Sequence, residues 1–370
     1  MKRLVAAAGV AVVAVATVAT VAACAASTGT GSGVAGGSTV ARDRIAWRDV
    51  DAAMDQRLAT DDLPGAVDFA VRNGKVLHDQ AYGSYTRQTV VPIASASKWL
   101  TSAVIMTLVD EGKLSLDAPV STYLPEWSGD KAGVTVRHLL SHQAGIPGSA
   151  SCIGDPNLTL RECASSMARD PLDHPPGTEF HYGNAGYTVA AAAAEVAGRG
   201  DFATLFATRL ATPLGMTSTS FSSRKGPPNP NPVPAASATS TMDDFARFVA
   251  MMAADGQTPD GTRVLQASSV SEIERDQVKG LDTHDDFAVQ ITGFGTYGLG
   301  TWRDRADGND ATQMVSGSGS VGFYPWIDRE RHAYGILLVN DSAGGSGRAV
   351  RSSTRIVHDL VLPAIDNTPR

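Results

Sequence analysis

A serine and a lysine three residues apart are the side chains of this sequence best placed for covalent chemistry. Ser95 and Lys98 precede apolar residues that recur at helical spacing, namely Leu100, Val104 and Leu108. Residues i and i+3 share one face of a helix. Ser95 would stand at the N-terminal end, where free N–H groups and the helix dipole stabilise negative charge. The pattern predicts acyl transfer through an ester of Ser95.

The same motif, Ser-x-x-Lys, occurs twice more, at 128–131 and 222–225. Both copies lie among Gly, Pro and charged residues, and no apolar helix follows either of them. We interpret them as solvated loops, so only the copy at Ser95 has a helix to hold it. Taken alone, Ser95 is also consistent with an ordinary helix-capping serine.

A serine hydroxyl is a weak nucleophile and needs a base beside it. Lys98 can be that base only when neutral, and an ordinary lysine has a pKa of about 10.4. Lowering that pKa by roughly three, toward 7, requires about 4 kcal/mol of differential interaction between the two protonation states. Burial, a second cation or a shared proton can supply it, so Lys98 needs partners from elsewhere in the chain.

A second polar pair, Tyr182 and Asn184, precedes an alanine-rich helix predicted at 185–197 and is the only Tyr-x-Asn in the sequence. A tyrosine beside Lys98 could share its proton and pass it to a leaving group. Asn184 could hold Lys98 and orient a substrate amide. The alternative is a buried tyrosine followed by a capping asparagine, and the triplet alone does not decide between them.

A third stretch, rich in Gly and Ser, covers 316–322 and precedes a predicted strand, so its backbone N–H groups could approach a ligand. Gly317, Gly319 and Gly322 also spell G-x-G-x-x-G, as do residues 293, 295 and 298. No helix is predicted after either match. A dinucleotide-binding motif must open a helix, so neither match predicts a dinucleotide site.

The elements that must position these residues begin with a helical stripe from Trp47 to Leu58. A hairpin follows, with strands at 66–71 and 75–82 around Asn73-Gly74, a strong hairpin signal. Short helices fill the middle of the chain, with predicted starts at Thr135, Thr241 and Ser269.

The last part of the chain predicts strands at 297–302, 322–327 and 332–340 and a closing helix at 347–362. Strands therefore lie near both chain ends, with helices between them. We predict an α+β fold in which one antiparallel sheet, built from both ends, is flanked by helices. A helical lobe of about 113–290 would face the sheet across a cleft.

The 370 residues carry a net charge of −7, which argues against a nucleic-acid partner. No His-Glu-x-x-His and no Cys/His set at metal spacing occurs, so we expect neither a metal nor a cofactor. His142, beside Leu139 and Leu140, is interpreted as structural. The sequence has no Gly-x-Ser-x-Gly, which argues against the α/β-hydrolase fold.

The N-terminus predicts export. Met1-Lys2-Arg3 precedes an apolar run that extends to Ala23, as in a signal sequence. The run ends Val21-Ala22-Ala23-Cys24, which resembles the bacterial lipoprotein signal, and that resemblance implies a lipidated Cys24 on the outer face of the membrane. An ordinary secretory signal and an uncleaved anchor are the alternatives.

All three alternatives place the chain outside the cytoplasm, secreted or at the cell surface. We expect a signal at 1–23, a flexible Gly/Ser/Thr/Ala tether at 24–41 and a folded domain at 42–365. In an exported chain, the remaining Cys152 and Cys163 predict a disulfide worth about 3 kcal/mol. Two free buried thiols are the alternative.

Ser95-x-x-Lys98, Tyr182-x-Asn184 and a Gly-rich strand edge, in that order, resemble the serine β-lactamase and penicillin-recognising superfamily. The similarity is to the branch of class C β-lactamases, DD-peptidases and β-lactamase-like esterases. It extends from about residue 45 to 362 and includes four connecting segments, 136–147, 176–180, 213–216 and 240–244. It implies that Ser95 is acylated, that Lys98 and Tyr182 move its proton, and that Asn184 positions Lys98 and the substrate.

The third family motif is matched by Gly317-Ser318-Gly319-Ser320. The resemblance implies that Ser318, Gly319 and Ser320 bind and orient the substrate, with the N–H of Ser320 joining that of Ser95 in an oxyanion hole. Gly317 stands where the family carries a residue such as Lys or His. Without that cation, we expect an uncharged ester or amide substrate, or a carboxylate held by an arginine from elsewhere.

Two functions remain open from the sequence. The first is an exported serine hydrolase that acts on a small-molecule or peptide substrate, as an esterase, β-lactamase or DD-peptidase. The second is a cell-surface penicillin-binding or sensing protein with the same fold and little turnover, which the uncharged Gly317 motivates.

Overall fold

An antiparallel sheet assembled from both ends of the chain carries the rest of the fold. The strands of the structure are β1 (Gly65–Arg72), β2 (Lys75–Gly83), β3 (Val91–Pro92), β4 (Thr239–Ser240), β5 (Trp302–Ala306), β6 (Thr312–Ser316), β7 (Tyr324–Asp328) and β8 (Ala333–Val339). Six of them form the main sheet in the order β2-β1-β8-β7-β6-β5, and β3 pairs with β4. The predicted α+β architecture is confirmed.

The structure is a computed structural model that describes residues 45–369 apart from 222–228, 284–285, 308–310 and 344. The predicted signal, the tether and Cys24 lie outside the described residues, as does the Ser-x-x-Lys at 222–225. Among the residues that are described, no helix has the length and apolar character needed to cross a membrane. The described residues belong to one compact unit.

Helices cover both faces of the sheet and fill the middle of the chain. They are α1 (Trp47–Asp61), α2 (Ser97–Asp110), α3 (Val136–Leu140), α4 (Leu160–Met167), α5 (Ala185–Gly198), α6 (Phe202–Phe206), α7 (Thr212–Leu214), α8 (Met242–Ala253), α9 (Ala267–Glu274), α10 (Phe287–Thr292), α11 (Ser346–Arg355) and α12 (Leu362–Asn367). Short π-helical segments, Ala207–Ala211 and Ile356–Val361, join α6 to α7 and α11 to α12.

Alternate residues of strand β8 face two different hydrophobic cores, one on each side of the sheet. Ile336 and Leu338 face the core around α2, whereas Leu337 and Val339 face the core of α1, α11 and α12. Successive strand residues point to opposite faces, and here both faces are covered. That is why β8 is a continuous apolar run in the sequence.

Helix α2 is the central element of the larger core. Every residue from Ser97 to Leu108 is buried, and α5 packs against it with five alanines, 190–194, that are fully buried. Small side chains let the two helices approach closely. Gly186 at the start of α5 is equally constrained, because a Cβ there would lie 2.5 Å from the carbonyl oxygen of Leu139.

Most predicted element boundaries agree with the structure. The N-terminal helix and the hairpin are confirmed, and Thr135 and Thr241 accept hydrogen bonds from the backbone N–H three residues on, as N-caps do. The predicted start at Ser269 is wrong by two residues, because α9 begins at Ala267 without a side-chain cap.

The strand predicted at 297–302 is wrong. Residues 297–301 form a loop in which Gly300 has a φ of +86°, and a Cβ on Gly300 would lie 2.6 Å from the carbonyl oxygen of Lys98. The loop therefore packs its backbone on the start of α2, and the strand begins only at Trp302. Strand β6 was not predicted, since five mixed polar and apolar residues give no clear alternation.

The connection from β6 to β7 passes very close to the turn before α2. A Cβ on Gly319 would lie 2.3 Å from the carbonyl oxygen of Ile93, and one on Gly317 would lie 2.8 Å from the Trp99 ring. Contacts this short are sterically forbidden for a side chain. Glycine at 319 therefore sets how near this sheet edge comes to Ser95.

We expect Gly319→Ala to lower the free energy of unfolding by about 1–3 kcal/mol, because the new methyl group must push the sheet edge away from Ile93. The measurement is urea unfolding followed by tryptophan fluorescence. Gly133→Ala is the matched control, since its Cβ would meet only a Pro176 ring carbon at 4.0 Å. Equal urea midpoints for the two variants would contradict the close approach.

Candidate active site

Ser95 lies in a tight turn just before α2. A short 3-10 helix, Ala94–Ala96, leads directly into α2 at Ser97, so Ser95 precedes the helix rather than beginning it. Ala94 has a φ of +45°, a left-handed conformation that costs a non-glycine residue about 1–2 kcal/mol. The surrounding packing must hold this strain, and it fixes the direction in which Ser95 projects.

The amine of Lys98 is the centre of the site. Its Nζ lies 3.2 Å from the Ser95 Oγ, 3.2 Å from the Asn184 Oδ1 and 3.2 Å from the carbonyl oxygen of Ala235. The side chain is completely buried. Burial lowers the pKa of Lys98 from its ordinary value of 10.5 to about 7, because an ammonium ion loses its hydration there.

Two aromatic rings cover the amine. The Lys98 Nζ lies 4.5 Å from the ring centroid of Tyr182 and 5.6 Å from that of Tyr187. Burial raises the pKa of the Tyr182 phenol, and a side-chain hydrogen bond with Ser95 acts in the opposite direction. Tyr182 is therefore protonated at neutral pH, so Lys98 is the group beside Ser95 that can accept a proton.

Asn184 directs its side chain at Lys98 rather than at its own helix. It stands at the N-cap of α5, but its side chain makes no capping hydrogen bond. Its backbone N–H donates to the carbonyl oxygen of Gly148 at 2.7 Å, and a Cβ on Gly183 would lie 2.2 Å from the same oxygen. The interpretation of Asn184 as a simple capping residue is therefore wrong.

His142 supports this segment without taking part in the proton network. Its ring lies 4.4 Å from that of Tyr182, and its Nδ1 accepts a hydrogen bond from the Gly183 N–H at 3.3 Å. Burial lowers the pKa of His142 well below its ordinary value, and the charge of Lys98 acts in the same direction. The imidazole is thus neutral and packs beneath Tyr182.

The Gly/Ser stretch continues the pairing of β6 with β7. The N–H groups of Gly317 and Gly319 donate to the carbonyl oxygens of Pro325 and Phe323 at 3.0 and 2.8 Å. In an antiparallel ladder, alternate residues direct their backbone groups to opposite sides. Ser318 and Ser320 line the same cavity as Ser95. The Oγ of Ser318 is buried and has no hydrogen-bond partner among the described residues.

The cavity beside Ser95 has a volume of about 470 Å³, and none of the described residues that line it is charged. The lining consists of Ser95, Gly148, Ser149, Tyr182, Gly183, Asn184, Phe287, Ala288, Ile291, Thr292, Trp302, Ser318, Ser320 and Val350. Among the described lining residues, no arginine replaces the cation that is missing at Gly317. A longer side chain at 317 would also collide with Trp99.

Three contributors to the site carried no usable sequence signal. Ala235 acts through its carbonyl oxygen, which no residue type marks. Asp286 accepts a hydrogen bond from the Tyr182 backbone N–H at 2.8 Å and another from Ala288 at 2.8 Å. Trp302 stacks on Tyr182, with ring centroids 5.4 Å apart and an angle of 21°.

A disulfide joins Cys152 to Cys163 and lies behind the segment that carries Ala235. The carbonyl oxygen of Cys152 accepts a hydrogen bond from the Asn231 side chain at 2.7 Å. Further along, Thr101 of α2 donates to the carbonyl oxygen of Pro234 at 2.7 Å. These bonds hold the backbone at Ala235 against Lys98.

Two known proteins are similar to this chain over about half of its length. Protein flp of Staphylococcus aureus (strain N315) is 29% identical over 187 residues, 46% of this chain and 38% of that protein. Esterase EstB of Burkholderia gladioli is 31% identical over 201 residues, 47% of this chain and 51% of that protein. The matched stretch thus spans about half, or less, of these relatives' length.

A solved structure of a putative beta-lactamase from Bacteroides dorei DSM 17855 superposes with a TM-score of 0.78 at 28% identity, covering 87% of this chain and 100% of that one. The Beta-lactamase family model matches residues 50–358, which is most of the chain and contains Ser95, Lys98, Tyr182 and Asn184. With the buried Lys98 beside Ser95 and Tyr182, which line the cavity, this match shows that the protein belongs to the Beta-lactamase family.

Proposed function

We propose that this protein is an exported serine hydrolase that cleaves uncharged esters through an acyl-enzyme at Ser95. The observation that carries the proposal is the completely buried Lys98 amine, 3.2 Å from the Ser95 Oγ and with a pKa of about 7. A base with a pKa near the working pH combines a useful population of the neutral form with a strong tendency to accept the proton.

In the acylation step, neutral Lys98 takes the hydroxyl proton as the Ser95 Oγ attacks the ester carbonyl carbon. The developing oxyanion would be stabilised by the backbone N–H groups of Ser95 and Ser320, two residues that line the same cavity. Tyr182, which is protonated, gives its proton to the leaving alkoxide and recovers one from the Lys98 ammonium. Water then attacks the acyl-enzyme by the reverse proton path and releases the acid and the free serine.

The uncharged cavity favours esters over substrates that carry a carboxylate. β-Lactams and D-Ala-D-Ala peptides both bring a carboxylate into the cleft, and a buried charge without a partner is costly. None of the described lining residues offers that partner. The similarity to Esterase EstB supports the same choice.

Helix α10 supplies an apolar wall to the cavity. Phe287 and Ile291 are four residues apart, so they lie on one face of the helix, and both line the cavity together with Val350 of α11. Phe287 is 71% exposed, and together with Ile291 and Val350 it forms an apolar patch at the cavity, the kind of exposed surface that marks a ligand-binding site. We assign this wall to the hydrocarbon part of the ester.

Export is part of the same proposal. The Cys152–Cys163 disulfide supports it, because disulfides persist in oxidising compartments outside the cytoplasm. The sequence Val21-Ala22-Ala23-Cys24 supports attachment to the outer face of the membrane through a lipidated Cys24. The substrate would then be a small molecule or peptide derivative encountered outside the cytoplasm.

Ser95→Ala should lower the hydrolysis of p-nitrophenyl butyrate by a factor on the order of 10⁴, as loss of a serine nucleophile does in other hydrolases. Ser128→Ala is the matched control, since it removes the exposed serine of a second Ser-x-x-Lys copy. Undiminished turnover by Ser95→Ala would refute the site.

The sensing alternative predicts a different result when the wild type is compared with Ser95→Ala. A penicillin-binding sensor would form a stable, Ser95-dependent adduct with fluorescent penicillin and release one equivalent of p-nitrophenol without steady turnover. The esterase proposal expects steady turnover of the ester and weak labelling by penicillin. The uncharged Gly317 motivates the sensing alternative, because the family carries a residue such as Lys or His at that position.

The rate constant kcat/KM should rise about tenfold per pH unit at acidic pH and level off above about pH 7. The physical reason is that only neutral Lys98 accepts the Ser95 proton, and its pKa is about 7. The profile is measured between pH 5 and 9 with p-nitrophenyl butyrate, after subtraction of the Ser95→Ala rate. A flat Ser95-dependent profile across this range would exclude Lys98 as the titrating base.

Phe287→Ala and Ile291→Ala should each reduce kcat/KM for p-nitrophenyl octanoate about fivefold and change the acetate rate little. The expected loss reflects one or two methylene equivalents of apolar contact, at about 0.8 kcal/mol each. Val76→Ala is the control, because Val76 is also a large apolar residue that is 50% exposed, but on β2. An unchanged ratio of octanoate to acetate rates would remove α10 from substrate binding.

A further inference from the structure

A cluster of two histidines and a glutamate lies on the loop that leads into Tyr182, and the proposed reaction uses none of it. One donor atom from each of His174, Glu179 and His181 lies within 4.8 Å of the other two. Imidazole nitrogen and carboxylate oxygen are ligands that a divalent transition metal accepts together.

The orientation of the side chains suits a shared ligand. The rings of His174 and His181 are 4.6 Å apart at an angle of 33°, and the His181 Nε2 lies 2.9 Å from the Glu179 Oε2. The Nδ1 of His174 lies 3.5 Å from the carbonyl oxygen of Pro175. Its buried Nε2 has no hydrogen-bond partner among the described residues.

This pattern is the one expected of a metal-binding histidine. When Nδ1 carries the proton and faces a backbone carbonyl, Nε2 presents its lone pair, and metal-ligating histidines are commonly oriented in this way. An unpartnered buried nitrogen is costly to leave unsatisfied. A metal ion beside the His174 Nε2 would satisfy it.

The backbone holds the three donors together before any ligand arrives. The N–H groups of Asp173, Gly177 and His181 donate to the carbonyl oxygens of residues 145, 143 and 142 at 2.8, 2.8 and 2.9 Å. A Cβ on Gly145 would lie 2.0 Å from the carbonyl oxygen of His174, so only glycine permits this approach. Both ends of the loop are therefore fixed to one neighbouring segment.

We propose that His174, Glu179 and His181 form a Zn²⁺ site with solvent completing the coordination. Zn²⁺ accepts mixed imidazole and carboxylate ligands, whereas Ca²⁺ and Mg²⁺ prefer oxygen alone. The side chains of His181 and Glu179 are 54% and 56% exposed, so an ion can reach the site. This proposal differs from the expectation of no metal, which rested on motif spacing along the chain.

The bound ion would clamp the loop one residue before Tyr182. Because His181 adjoins Tyr182, the clamp would restrain the backbone that positions the phenol over Lys98. This consequence rests on the proposed function, but binding of the ion itself does not. Zn²⁺ affinity is therefore measured independently, and it should be the same in the inactive Ser95→Ala variant.

The test is calorimetric titration of the metal-free full chain with Zn²⁺, with Co²⁺ absorption as a second readout of the ligand geometry. We expect one ion per chain in the wild type and a loss of affinity of about tenfold or more in His174→Ala, His181→Ala and Glu179→Gln. Zn²⁺ should raise the Tm of the wild type and leave the Tm of the histidine variants unchanged.

His332→Asn is the matched control. His332 is an exposed histidine outside the cluster with a φ of +49°, a conformation that asparagine tolerates. Its Zn²⁺ affinity should equal that of the wild type. The proposal is overturned when no saturable binding is seen, or when the histidine variants, folded by their metal-free Tm, bind Zn²⁺ as tightly as the control.

Discussion

The site depends on the burial of one amine, that of Lys98. Moving the pKa of Lys98 from 10.5 to about 7 corresponds to about 5 kcal/mol of lost preference for the charged form. Burial of the side chain supplies that free energy. The hydrogens of the amine still need acceptors, and these are Ser95, Asn184 and the carbonyl oxygen of Ala235, which come from three distant parts of the chain.

Small residues in the neighbouring elements allow the close packing that buries the Lys98 side chain. The fully buried alanines of α5 allow it to pack tightly on α2, and Gly300 lays its backbone on the carbonyl of Lys98. Gly183 and Gly319 permit two further contacts of the same kind, against Gly148 and Ile93. Each of these glycines lets the backbone occupy space that a side chain could not share, and so contributes to the close packing around the start of α2.

The sequence predicted those features of the site and of the fold that depend on side-chain type and on spacing along the chain. Ser95 with Lys98, Tyr182 with Asn184, the hairpin and the two capping threonines all have such signals. The loop at 297–301 was mistaken for a strand because its aromatic and aliphatic residues pack against α2 and Tyr182 rather than in a sheet. Ala235 acts through its backbone oxygen, which no residue type marks. His174, Glu179 and His181 are close in the sequence, but their spacing matches no standard metal-binding motif.

The proposed proton transfer and the proposed substrate contacts use different elements of the fold. Ser95, Lys98, Tyr182 and Asn184 lie in or next to the starts of α2 and α5, where Lys98 is buried and the other three line the cavity. The proposed contacts to the rest of a substrate come from α10 and from the connection that follows β6, in the same cavity. The two sets are in contact, because Trp302 stacks on Tyr182 and Ala288 of α10 packs in the same apolar cluster as Tyr182. Asp286 joins them through hydrogen bonds as well, since its carboxylate accepts from the backbone N–H groups of Tyr182 and of Ala288 in the first turn of α10. The position of the apolar wall is therefore coupled to that of the phenol by packing and by hydrogen bonds.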